Sequence, residues 1–130
     1  NLYEDAGCLT VGAGTSLEAT PKVVGMILEE LRELKRSLVP ADELRRAKDH
    51  LKGSLLLSLE STSSRMSNLA RQERYFGRIF SLDETAAAIE AVTADEVAEL
   101  AREWFQPERL GLTVLGALDG YRVGRDELAC

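Results

Sequence analysis

The stretch Ala41 to Ser61, ADELRRAKDHLKGSLLLSLES, constrains the fold more than any other. Leu44, Ala47, Leu51, Leu55 and Leu59 recur at three- and four-residue intervals, which places them on one stripe of a helix. Arg45, Arg46, Asp49 and Lys52 fall between them, so the first turns are amphipathic. From Leu55 to Leu59 only Ser58 interrupts an apolar run. A helix that loses its polar face is entering an interior, and its second half is expected to be covered by other elements. Gly53 stands where the two regimes meet. Glycine in a helix interior costs about 1 kcal/mol relative to alanine, so the expectation is a neighbouring backbone at close approach. The stretch carries no catalytic chemistry and reads as a scaffold helix.

Elements on either side follow from equally local signals. Leu2 to Gly14 and Leu110 to Gly116 (LGLTVLG) have the composition of strands, the second a buried one. Between them, Thr20-Pro21 reads as an N-cap followed by proline at the first helical position. The helix it opens carries Val24, Ile27, Leu28, Leu31, Leu34 and Leu38, and Val39-Pro40 ends it. Ser61 to Ser64 reads as a bend or cap before a helix stopped by Gly77. Ser81 to Glu84 matches a capping box, and Thr93 to Glu96 repeats the pattern. The expected order is strand, five helices, strand, with Ala117 to Cys130 a loose tail or a connection. Two strands cannot cover five helices, so further strands are expected from residues outside these 130.

Composition excludes several functions. A net charge of −6 leaves no basic stripe to offset phosphate repulsion, which argues against a nucleic-acid or anionic-membrane partner. No apolar run approaches the roughly 20 residues of a membrane span. No secretory leader is read in a chain that starts in mid-pattern. The two cysteines, Cys8 and Cys130, make no disulfide framework.

Candidate chemistry is sparse. His50 is the only histidine, and beside Asp49 and Lys52 it reads as a solvated helix residue. A zinc site from His50, Cys8 and Cys130 lacks any C-x-x-C or H-x-x-x-H spacing. No G-x-S-x-G elbow and no G-x-G-x-x-G loop is present. Glu60, at the end of the apolar section, is expected to be held by Arg65 or Arg71, with a cost of a few kcal/mol on replacement by Gln if the pair is buried. The basic, aromatic run Arg71 to Arg78 reads as the exposed face of a short helix. The residues alone therefore assign no catalytic, substrate-binding or metal-binding position and describe a non-catalytic α+β module.

Several segments nevertheless carry a resemblance. YEDAG (Tyr3 to Gly7), ELRRAK (Glu43 to Lys48), LSLES (Leu57 to Ser61) with Arg65, YFGR (Tyr75 to Arg78), AVTADEV (Ala91 to Val97) and TVLG (Thr113 to Gly116) occur in this order. Together they resemble the C-terminal, inactive domain of the pitrilysin-type zinc peptidases, the family of the mitochondrial processing peptidase and its bacterial relatives. The resemblance implies an α+β fold in which an antiparallel sheet is covered by helices on one face. It implies that residues 1–116 are the trailing portion of that domain and 117–130 a tail or connection. In the family, zinc is held in the other half by an inverted H-x-x-E-H motif and a distal Glu, and this chain has one histidine and no such motif. The Arg and Tyr with which the inactive domain holds substrate lie in a GLAY-like segment that does not occur here; Tyr3 matches a different stretch.

No functional residue is therefore carried over. The zinc belongs to the parent enzyme or a partner subunit, and the implied partners are a zinc-binding domain or subunit of the same family, a peptide substrate and, as an option, a second copy in a dimer. The implied function is a non-catalytic part of a zinc metalloendopeptidase that helps to form its substrate chamber, where acid-rich helices would favour basic peptides. The alternative is a structural or partner-subunit relative without peptidase activity, like the core subunits of the respiratory cytochrome bc1 complex. A bacterial cytoplasm or periplasm is favoured over a mitochondrion.

Overall fold

A computed structural model of the chain describes residues 6–118 and 120–130. It contains five α-helices: α1 Thr20–Arg36, α2 Ala41–Ser58, α3 Thr62–Phe76, α4 Leu82–Ala91 and α5 Ala94–Trp104. Two single 3-10 turns follow, Pro107–Arg109 and Asp126–Leu128. Among the described residues there is no strand, only an isolated bridge residue at Gly7. The expected α+β fold with an antiparallel sheet is thus overturned, and the described chain is all-helical. The first four or so residues of the first expected strand lie outside the described ones. Its remainder and residues 110–115 form no strand among the described residues and are largely exposed; Leu9 is 61% exposed and Leu115 is 99% exposed. β-propensity expresses a fit to a pleated, half-buried surface, and without a neighbouring ladder these segments have nothing to fit.

The chain divides into two units. The first holds residues 8–39 and 95–130, hence α1, most of α5 and the tail; the second holds residues 40–94, with α2, α3 and α4, together with the segment up to Gly7. The first unit contains the buried residues. Leu28 of α1, Ala98 and Ala101 of α5 and Leu128 of the tail are its apolar core. Thr20 is buried too, but not as the expected cap. The N-cap is Ala19, Pro21 follows in the first turn, and the Thr20 hydroxyl donates to Ser16 O at 2.9 Å, tying in the preceding turn.

In the second unit no described residue is buried. The expectation that the apolar half of α2 is covered is corrected here: Leu56 and Leu57 are 58% and 67% exposed. Nor does a backbone approach Gly53, since a Cβ built there meets nothing within 4 Å. What ties this unit is largely polar. Lys48 Nζ of α2 donates to Glu90 O of α4 at 2.7 Å, and Lys52 Nζ meets Glu90 Oε2 at 2.8 Å and Asp49 Oδ1 at 3.1 Å. The hydrogen bonds to Glu90 and then Asp49 raise the Lys52 pKa, and Lys52 in turn lowers that of Glu90.

The caps form where hydroxyls and glycine place them. Ser61 Oγ accepts from Ser64 N at α3, and Gly77 ends that helix at φ 63°, the left-handed region where a Cβ is strained. At α4 the capping box closes in both directions, with Glu84 N donating to Ser81 Oγ (3.1 Å) and Ser81 N to Glu84 Oε2 (2.7 Å). These bonds from Ser81, with smaller help from Arg78, hold the Glu84 carboxyl below its ordinary pKa of 4.5.

The chain exposes 10063 Å2, about one and a half times the ~6,800 Å2 expected of a folded monomer of its mass. Large apolar side chains are among what it exposes, Leu57, Met66 and Phe76 each by more than half, and a contiguous apolar patch is ordinarily covered by a partner.

Two measurements check this description. Gly53→Ala should stabilise the chain by about 0.5–1 kcal/mol in chemical denaturation, because a methyl group there meets open space, whereas Gly77→Ala should destabilise it by about 1 kcal/mol or more; a destabilising Gly53→Ala contradicts the open space. The second is pH dependence. Depressed carboxyl pKa values contribute stability above the unfolded value and lose it as pH falls through the folded one, while the raised Lys52 pKa contributes below 10.5 and is lost above its folded value. The carboxyl resonances of Glu84 and Glu90 should therefore titrate below 4.5, and α4 should loosen on the acid side of that point; midpoints at or above 4.5 refute the assignment.

Candidate functional site

The second unit carries an open groove of 490 Å3. It exists because α2 ends at Ser58 and α3 begins at Thr62, so the chain reverses within a few residues and leaves the end of α2 beside the start of α3. The α2 side contributes Leu55, Leu56 and Leu59. Leu69 faces them from α3, and Ile79 and Phe80 of the connection, with Leu82 at the start of α4, close the floor. Polar groups stand among these: Glu60 from the bend, Arg65, Asn68 and Gln72 from α3, Ser81 from the N-cap of α4 and Thr85 from α4 itself.

The floor is held by a network that explains the YFGR segment. Gly77 turns the chain out of α3, and Gln72 Oε1 accepts from Phe80 N at 2.7 Å across that turn. The Phe76 and Phe80 rings meet edge to face with centroids 5.3 Å apart. The Arg78 guanidinium lies 3.9 Å from the Phe80 ring centre and pairs with Glu84 Oε1 at 3.3 Å. Arg78 thereby links the turn to the capping box of α4. Of the basic run Arg71 to Arg78, this last arginine has a structural role, which a reading of an exposed helix face misses; the aromatic at the second position after it was the available signal.

Glu60 is not where the sequence reading puts it. α2 terminates before it, so its side chain projects from an exposed bend, and among the described residues it has no ion pair with Arg65 or Arg71. The apolar run preceding it suggested burial, but that run is itself exposed. Both Glu60 and Arg65 line the groove without being paired to each other, giving it one fixed charge of each sign.

What the groove can do is bind. A surface of leucines, isoleucine and phenylalanine with hydroxyl, amide and charged groups at its edge suits an apolar side chain of a polypeptide, since the apolar wall supplies contact area and the polar edge can take up main-chain groups. It has no imidazole and no thiol. His50 lies exposed on α2, Cys8 is exposed, and Cys130 is half-buried in the other unit. Among the described residues no group of three or more His, Cys, Asp or Glu is placed to hold a metal ion. A catalytic zinc needs three protein ligands, and the described donors do not converge to supply them. No described helix is long and apolar enough to cross a membrane.

No family model matches the chain. Individual proteins do. It is 41% identical over 103 residues to the uncharacterized zinc protease YmxG of Bacillus subtilis, covering 79% of this chain and 25% of that protein. To the uncharacterized zinc protease Rv2782c of Mycobacterium tuberculosis it is 37% identical over 116 residues, covering 89% of this chain and 26% of that protein. The beta subunit of the mitochondrial-processing peptidase of Neurospora crassa is 31% identical over 120 residues, 91% of this chain and 25% of the subunit. The chain thus spans about a quarter of the length of the curated relatives it matches. With similarity at this level across most of its residues, to bacterial zinc proteases and to a processing-peptidase subunit alike, the chain belongs to the pitrilysin-like family of zinc proteases.

Proposed function

We propose that the chain is a non-catalytic, C-terminal part of a zinc metalloendopeptidase and helps to form the chamber in which a peptide is cleaved. The observation that carries this is a mismatch between similarity and chemistry. The chain is 41% identical to a protein named as a zinc protease, yet its 130 residues include a single histidine and no inverted H-x-x-E-H motif. Zinc is then held by another part of the same polypeptide or by a partner subunit, and this part contributes surface. Residues 1–116 are the trailing portion of the inactive domain, and 117–130 are its tail or a connection.

The exposed apolar side chains support the reading. Leu56, Leu57, Met66 and Phe76 of the second unit are each more than half exposed. In a polypeptide about four times as long, such side chains have neighbours to cover them. The groove between α2 and α3 offers a place for an apolar residue of a bound peptide.

The test compares this chain with the intact polypeptide. Zinc measured by elemental analysis and cleavage of unfolded peptides should appear in the intact form and not in the 130 residues alone. Absence of both from the intact form, with a partner subunit also added, would turn the reading to a scaffold relative; zinc-dependent cleavage by the 130 residues alone overturns it. A stability series makes an independent check. Leu57→Ala should change the stability of this chain by less than about 0.5 kcal/mol but that of the intact polypeptide by about 2–3 kcal/mol, as expected for a side chain buried only in the longer form.

A further inference from the structure

One stripe of α2 changes character along its length. Lys48, Lys52, Leu55 and Leu59 follow at intervals of four, three and four residues, so they share a face, and each is half-buried. α4 packs along α2. At the leucine end its Leu82 and Thr85 line the groove together with Leu55 and Leu59. At the lysine end stands Glu90, with Lys48 Nζ donating to its main-chain oxygen at 2.7 Å and Lys52 Nζ 2.8 Å from its Oε2. Between these ends Thr85, Ala86 and Ile89 are half-buried while the rest of α4 is exposed, which makes them its side of the seam.

The two ends of α4 are attached differently. The first is tied to the turn after α3, through the capping box of Ser81 and Glu84 and the Arg78–Glu84 pair at 3.3 Å. The last is tied to α2, by two lysines that both address Glu90, one residue before the helix ends. α4 has ten residues and none of them is buried. A helix that short is marginal on its own and belongs to the low-stability end of a fold, so what it leans on decides where it sits. Lys48, Asp49 and Lys52 are the charged groups of α2 that act on the Glu90 carboxylate. Asp49 Oδ1 is itself 3.1 Å from Lys52 Nζ, so Lys52 keeps a partner on its own helix when Glu90 leaves it.

We propose that α4 is a flap on the groove, hinged at its Ser81 end and latched to α2 by Glu90. With the latch closed, the groove stops short of the place where Lys52 meets Glu90. With it open, the far end of α4 leaves α2, the seam of Thr85, Ala86 and Ile89 parts, and the groove runs on along the helix. The groove thus has a short and a long form, and whatever occupies it shifts the balance toward the form it fits better. The latch is an exposed pair, so salt and neutralisation of either partner bias it toward the open form. This gating belongs to the groove itself and does not depend on the zinc-protease reading.

The test reads the seam through a single thiol, in a chain carrying Cys8→Ser and Cys130→Ser. Ala86→Cys places the thiol in the seam, and Ala88→Cys places it on the exposed side of the same helix as a control. The rate of alkylation by the uncharged reagent N-ethylmaleimide is expressed as the ratio of the first to the second. Adding Glu90→Gln or Lys52→Met should raise that ratio about threefold, the scale expected for one exposed ion pair. Raising the salt to about 1 M should do the same to the latched chain and add little to the Glu90→Gln chain. Asp42→Asn, which removes a pair within α2 alone, should leave the ratio unchanged. An unchanged ratio in Glu90→Gln, or equal acceleration at both thiols, overturns the proposal. If the latch variants lose their helical circular dichroism, the salt series on the latched chain decides: a rising ratio supports the flap, and a flat one overturns it.

Discussion

A helix buries one stripe of its surface, and it does so only against another element. Everything in this structure follows from how few such elements the chain brings together. In the first unit α1, α5 and the tail meet, and Leu28, Ala98, Ala101 and Leu128 are removed from water. In the second unit three helices are joined by short connections, yet none of their described residues is buried. Apolar stripes are present there, at Leu55 to Leu59 and at Leu69 and Phe76, but each has at most one open side partly covered. The hydrophobic term, proportional to the area removed from water, is correspondingly small in this unit.

Polar interactions take a larger share of the work as a result. Lys48 and Lys52 tie α2 to α4, the capping box starts α4, and Arg78 connects the turn after α3 to that box. Exposed ion pairs contribute little individually and are screened by salt. They orient the helices more than they stabilise them, and the orientation is what leaves the groove open. The YFGR segment that marks the family resemblance forms a clasp together with Phe80: Gly77 makes the left-handed turn, Phe76 meets Phe80 edge to face, and Arg78 stacks on Phe80 while pairing with Glu84.

The same physics sets the limits of function. Among the described residues no group of three or more His, Cys, Asp or Glu is placed to hold a metal ion, and under the proposed function the zinc of the family is held in another part of the polypeptide or in a partner. The two units present different surfaces: a groove of leucine and phenylalanine with a charge of each sign at its edge in the second, and in the first the α1 cations Arg32 and Lys35 that hold main-chain oxygens of residues 129 and 130.

The sequence by itself determined what is local. Helix existence followed from three- and four-residue spacing, the stop at Gly77 from its tolerance of positive φ, and the start of α4 from Ser81 and Glu84, because each depends on atoms within one or two turns. The order of motifs also marked the family, since order is a property of the chain and not of its contacts. Only the tertiary structure decided the rest. Whether LGLTVLG becomes a strand depends on a partner ladder, and among the described residues there is none. Whether Leu56 and Leu57 are core, whether Gly53 meets a backbone, and whether Glu60 is paired all depend on what lies opposite them. The capture of the tail by Arg32 and Lys35 joins residues almost a hundred positions apart through carbonyl groups, which leave no mark in a side-chain pattern.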